Sequence, residues 1–207
     1  LPTFLGNHDA GRIAMLLEKA NPGISREELL ARVTLAHALL LSLRGVPTIY
    51  AGDEQGFVGT GGDKEARQDM FASQVAAFNT QDLLGTDATS AEANFDTTHP
   101  LYRFISQMAQ LRAHTPALQS GATRLRAASE TAPGLFAVSR FDPRDGHEIV
   151  MVFNTSGQAL EAVVAVDPNS AQFREIAGHG CVTKSIAEGS LAITLAPFGF
   201  ALCEARR

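Results

Sequence analysis

Close to the start of the chain, Asn7, His8 and Asp9, with Arg12 just behind them, form a cluster of side chains able to hold a polar ligand. They follow an apolar run, Leu1 to Leu5, that reads as a buried strand, and Gly6 opens the turn between the two. In parallel β/α architectures the carboxyl ends of the strands open onto the ligand crevice, so an imidazole and a carboxylate delivered there face a ligand and not the core. Adjacent His and Asp side chains can hydrogen-bond two neighbouring hydroxyls, a chemistry suited to sugars. A second segment, Gly45 to Gly56, repeats the design: Val46 to Tyr50 reads as a short apolar strand that empties into a Gly-flanked acidic loop containing Asp53 and Glu54.

The elements that must position these residues are legible around them. Ser25-Arg26-Glu27-Glu28 matches a capping box, and a helix with a broad apolar surface is expected from there to about Arg44, ended by Gly45. With the strands before and after it, this reads β-α-β. From Ala51 to Thr98 the text is rich in Gly, Asp, Thr and Asn and is expected to be a long, partly helical loop; placed after a strand, such a loop walls a cleft. A further helix is expected from Pro100, with Leu101, Phe104, Ile105, Met108 and Leu111 on one stripe and its end at Pro116.

Beyond Ala117 the apolar period changes to two. Strands are expected near 123–128, 135–141, 148–154, 160–166, 172–176, 181–185, 191–195 and 198–204, with turn signals such as Pro143-Arg144-Asp145-Gly146 between several of them. Short strands at this spacing suggest an antiparallel sandwich. Cys181 and Cys203 both fall in strand-like text, where either a disulfide or two buried thiols would fit, and buried thiols are the favoured reading.

At 45% hydrophobic and 19% charged residues, with a net charge of -5, the 207-residue chain has ample core material and no Lys/Arg-rich run, which argues against nucleic acid or anionic membrane as partner. Its longest apolar stretch, Leu35 to Leu43, is far short of the roughly 20 residues that span a bilayer. The opening lacks an initiating Met and a signal segment, so no compartment is assigned.

Taken together, these segments resemble the α-amylase superfamily of glycoside hydrolases. Phe4-Leu5-Gly6-Asn7-His8-Asp9 looks like its last catalytic segment, after barrel strand seven, and Gly45 to Gly56 like the segment around strand eight. Gly62 to Phe71 is similar to the loop that follows, where an Arg at the position of Arg67 lines glucan subsites. His99-Pro100-Leu101-Tyr102-Arg103 through Arg112 looks like the closing barrel helix, and the remainder like the C-terminal β-sandwich.

The fold implied is α/β plus all-β: residues 1–117 as the last two β/α units of a (β/α)8 barrel, and residues 118–207 as an antiparallel β-sandwich. A whole barrel takes about 250 residues, so one does not fit. By the resemblance Asp9 is the carboxylate that favours the transition state, His8 contacts the same sugar hydroxyls, Asn7 supports the turn and Arg67 contacts a neighbouring subsite. The nucleophile and general acid would lie upstream, leaving this piece inactive by itself. Its partners would be an α-glucan or α-glucoside, the upstream part of the barrel, and a second copy covering open strand edges.

Other readings are weaker. Gly59 to Lys64 looks like a phosphate-binding loop, but Glu65 stands where Ser or Thr is needed. His8, Asp9, His37, Asp53, Asp63 and Glu65 lack metal-ligand spacing, so no metal or cofactor is expected; His37 reads as a core histidine and Asp53 and Glu54 as loop-holding residues. Transglycosylation within the same superfamily remains open. A carbohydrate-binding or structural module is the alternative from another class, disfavoured because the chain has no Trp and neither Tyr50 nor Tyr102 lies beyond Ala117. Asn154-Thr155-Ser156 matches a glycosylation acceptor by a pattern common by chance and is given no role.

Overall fold

A computed structural model describes residues 1–206. They form two compact units, residues 1–41 with 45–109, and residues 42–44 with those from Gln110 onward.

In the first unit β1 (Pro2–Thr3) lies parallel to β2 (Val46–Pro47), connected through α1 (Ile13–Ala20) and α2 (Arg26–Ser42). Both strands are shorter than their apolar runs suggest. Pro2 and Pro47 have no N–H to give, so the ladder keeps bonds such as Val46 N–H to the Leu1 carbonyl and Thr48 N–H to the Thr3 carbonyl, at 3.1 and 2.8 Å. Helix α1 was not expected: its eight residues carry no capping signature, since Arg12 sits at the cap without a side-chain bond.

The capping box of α2 forms by half. Ser25 Oγ accepts the Glu28 N–H at 3.1 Å, but the Glu28 carboxylate turns outward to Arg32 at 2.8 Å. The helix ends at Ser42, two residues before the expected end. Leu29 and Val33 join Ala14, Met15, Val58, Leu84 and Leu101 in this unit's core. His37 is buried, its Nδ1 2.9 Å from the Val33 carbonyl, and burial lowers its pKa, as befits a core histidine. The loop after β2 contains two single turns of 3-10 helix, Asp53–Gln55 and Asp63–Ala66, before α3 (Pro100–His114). A short α4 (Pro116–Ser120) follows, so Pro116 starts a new helix as well as ending the previous one.

In the second unit β3 (Ala122–Ala128), β4 (Leu135–Phe141), β5 (Glu148–Asn154), β9 (Phe200–Arg206) and β7 (Gln172–Gly178) form one antiparallel sheet in that order. A separate pair joins β6 (Leu160–Ala165) to β8 (Ser190–Leu195). The alternation read in the sequence is the packing rule: Val150 and Val152 of β5, Ala201, Cys203 and Ala205 of β9, and Leu191, Ile193 and Leu195 of β8 fill one core. Beneath it Glu148, 2% exposed, accepts from Arg126, Ser139 Oγ, Ser170 Oγ and the Asp167 N–H.

Two expectations fail in this unit. The run 181–185 forms no strand, only isolated bridges from Cys181 to Ile193 and from Lys184 to Gln172. And the cysteines are not thiols: Cys181 and Cys203 form a disulfide with Cα atoms 5.8 Å apart. Apolar text around each cysteine reveals burial but not which residue lies opposite, and that depends on how β9 and the 178–181 turn meet. Asn154 is fully buried, its amide donating to the Gln158 and Ala196 carbonyls, so the sequon asparagine is committed to the fold.

Candidate active site

After β1 the chain reverses through a tight turn closed at both ends by backbone bonds, Asn7 N–H to the Gly11 carbonyl and Gly11 N–H to the Asn7 carbonyl, each 3.1 Å. Asn7 Oδ1 fills the turn, accepting the N–H groups of Asp9 and Ala10 at 2.8 and 2.7 Å. Glycine is required at Gly11, where φ is +98° and a Cβ would stand 2.4 Å from Met15 Cε. With its backbone amides engaged inward, the turn presents His8 and Asp9 at its apex, their side chains 59% and 71% exposed and Nε2 to Oδ1 3.3 Å apart.

The loop after β2 closes against this apex. Asp63 N–H donates to the Asp9 carbonyl at 3.1 Å, and a Cβ on Gly62 would come within 2.8 Å of that same oxygen. This contact sets Arg67 beside the pair: its Nη2 lies 2.6 Å from Asp63 Oδ1 and 3.6 Å from Asp9 Oδ1. Asn7, His8, Asp9 and Arg67 are therefore brought together, three of them on one exposed surface and Asn7 holding the turn from within. An imidazole, a carboxylate and a guanidinium so placed offer donors and acceptors in several directions to a polyhydroxylated ligand.

Below the surface is a group whose joint role the sequence did not reveal. Arg12 is 1% exposed; its Nη1 donates to Asp53 Oδ1 and its Nε to Gln68 Oε1, both at 2.8 Å. The rings of Tyr50 and Phe57 lie 4.4 and 5.2 Å from its guanidinium carbon. Burial pushes the Asp53 carboxyl up to about 6 although Arg12 pulls the other way, and the charge of Glu54 adds to the rise. Glu54 itself accepts the Gly52 N–H at 2.9 Å, so both acidic residues hold the loop as expected. The available signal was the spacing of Arg12 after the turn and the acidic loop; Gln68 gave none. Among the described residues no group of three or more His, Cys, Asp or Glu side chains converges as metal ligands would.

A β/α unit with a polar cluster on the turn after its first strand is the place where α/β domains commonly seat a ligand. Residues 1–121 match the family model described as alpha amylase, catalytic domain. The chain is 46% identical over 193 residues to an alpha-amylase of Streptomyces lividans, covering 93% of this chain and 21% of that protein. It is 32% identical over 170 residues to a cyclomaltodextrin glucanotransferase of Bacillus sp. (strain 1-1), covering 82% of this chain and 19% of the relative. Among solved structures, an Anoxybacillus alpha-amylase superposes with a TM-score of 0.69 at 21% identity, over 100% of this chain and 38% of its own. The chain belongs to the alpha-amylase family. It spans about a fifth of the length of these two sequence relatives.

Proposed function

We propose that the chain is the C-terminal part of a retaining glycoside hydrolase acting on α-glucans or α-glucosides. Residues 1–117 supply the last two β/α units of its (β/α)8 barrel, and residues 118–207 an antiparallel β-sandwich. Asp9 accepts hydrogen bonds from ring hydroxyls of the sugar at the cleavage subsite and favours the flattened, oxocarbenium-like transition state. His8 grips the same hydroxyls, Asn7 holds the turn, and Arg67 reaches a neighbouring subsite. The observation that carries this reading is the exposed His8–Asp9 apex with Arg67 beside it, on the turn after a parallel strand.

Retention requires a nucleophile and an acid about 5 Å apart astride the bond, roles that belong to upstream strands, so the chain by itself is inactive. Transfer in place of hydrolysis is the second reading, favoured by the likeness to a cyclomaltodextrin glucanotransferase. A binding module is disfavoured, because no Phe of 118–206 is exposed to offer a sugar-stacking face.

The test is release of reducing sugar from maltooligosaccharides by this chain alone and by the same chain preceded by the upstream barrel segment. Activity only in the longer protein supports the reading. Activity in the short chain places the nucleophile among residues assigned structural roles here, and inertness of both refutes the glycosidase assignment.

A further inference from the structure

We propose that Arg12 is the positioning residue of this site, a buried guanidinium that fixes His8 and Asp9 relative to the loop carrying Arg67. This role rests on the reading that His8 and Asp9 face substrate; Arg12 itself touches none.

The connections run to both sides. Arg12 follows Gly11, the last residue of the turn, and its carbonyl accepts the Leu16 N–H at 3.1 Å, which starts α1. The fork of its guanidinium then reaches two parts of the opposite loop at once, Asp53 and Gln68. Gln68 is the neighbour of Arg67 and passes the contact on, its amide donating to Gln81 Oε1 at 2.6 Å. On the other side of Arg67, Ala66 is held through its carbonyl by the hydroxyl of Tyr50, whose ring lies against the same guanidinium. Arg67 therefore sits between two residues tied to the group that Arg12 organises, while the turn carrying His8 and Asp9 is tied to Arg12 by the chain itself. Gly52 belongs to the same group: a Cβ there would stand 2.4 Å from Phe57 and 3.1 Å from Arg12 Nη2.

A buried ion pair adds little net stability over apolar residues of equal volume; what it supplies is a fixed geometry. Arginine serves this because its donors leave one rigid plane in set directions, whereas lysine is a point charge on a flexible stem. A shift of about 1 Å in groups that grip a reacting sugar can cost on the order of 100-fold in rate.

Two variants test this. Arg12→Lys keeps the charge beside Asp53 and loses the fork, and Arg12→Met/Asp53→Leu removes both charges, so that none is left stranded in the core. Hydrogen exchange is read by NMR on the chain as it stands. The amides of Gly11 and Asp63 are expected to lose about tenfold or more in protection, with Leu29 and Val33 of α2 and Val150 and Val152 of β5 within about twofold of the parent. In the longer, glucan-active protein kcat is expected to fall about 10- to 100-fold with KM within about threefold.

Unchanged protection at Gly11 and Asp63 in both variants overturns the assignment. So does an equal loss of protection across α2, which would make Arg12 a general stabiliser. The exchange measurement needs no activity, so an inert longer protein with a loosened turn in the variants refutes the glycosidase reading and leaves the role of Arg12 standing.

Discussion

Replacing Cys181 and Cys203 with alanine is expected to weaken the second unit selectively. The bridge joins residues 22 apart in sequence. Closing a loop of that length removes about 11 cal/mol/K of entropy from the unfolded chain, or about 3 kcal/mol at 25 °C. Cys203 is fully buried on β9 between Val150 and Glu175, so two lost sulfurs add a small packing cost in the same direction. Urea unfolding followed by the NMR signals of Val150, Val152 and Leu195 reports this unit. Both tyrosines, Tyr50 and Tyr102, lie in the other, so tyrosine fluorescence is a built-in control. With a urea dependence of about 1–2 kcal/mol/M for a domain of this size, the valine and leucine transition should move down by roughly 1.5–3 M and the tyrosine transition hardly at all. A shift worth less than about 1 kcal/mol would refute the loop-entropy reasoning. An equal shift in both signals would refute the assignment of the bridge to one independently stabilised unit.

Other perturbations have equally definite outcomes. Glu148→Leu strands the Arg126 guanidinium, whose side chain is 4% exposed, and should cost the second unit about 3–5 kcal/mol in urea unfolding; a loss below about 1 would mean that the carboxylate is dispensable. Asn7→Ala removes the acceptor of two turn amides and should speed exchange at Asp9 and Ala10 severalfold without changing the tyrosine-detected stability by more than about 1–2 kcal/mol. For Asp53, the folded value of about 6 lies above the 3.8 of a free carboxyl, so its contribution is complete below pH 3.8 and is lost as pH rises through 6. The stability of the wild type minus that of Asp53→Asn should therefore fall by about 2 kcal/mol between pH 4 and pH 7; a flat difference would mean that Asp53 does not titrate in this range.

Period and punctuation made most of the β-rich half legible: β4 and β5 begin and end at the expected residues, β5 as a continuous apolar run from Ile149 to Phe153 bounded by Glu148 and Asn154 and buried on both faces. The run at 181–185 reads as a strand too, yet it meets β8 and β7 only at isolated bridges, Cys181 to Ile193 and Lys184 to Gln172, because continuous pairing is a property of the neighbour. Helix α1 escaped notice because its eight residues are shorter than the pattern that distinguishes a helix, and no cap announces it. At the site, Asn7, His8 and Asp9 were legible as adjacent polar residues closing an apolar run, and Arg67 through a family resemblance. The Arg12–Asp53–Gln68 group was not, since its members are 41 and 56 positions apart from Arg12 and only the folding of one loop over the other brings them together.

The most direct test of the account is Asp9→Asn in the longer protein that carries the upstream barrel segment. The substitution keeps the side chain's shape and removes the charge on which, in the proposed reading, the developing oxocarbenium character relies. We expect kcat on maltooligosaccharides to fall by about 1,000-fold or more, with the far-UV circular dichroism and the tyrosine-detected stability of the parent retained. Activity within about twofold of the parent would contradict the role of Asp9, and with it the placing of the cleavage subsite on the turn after β1.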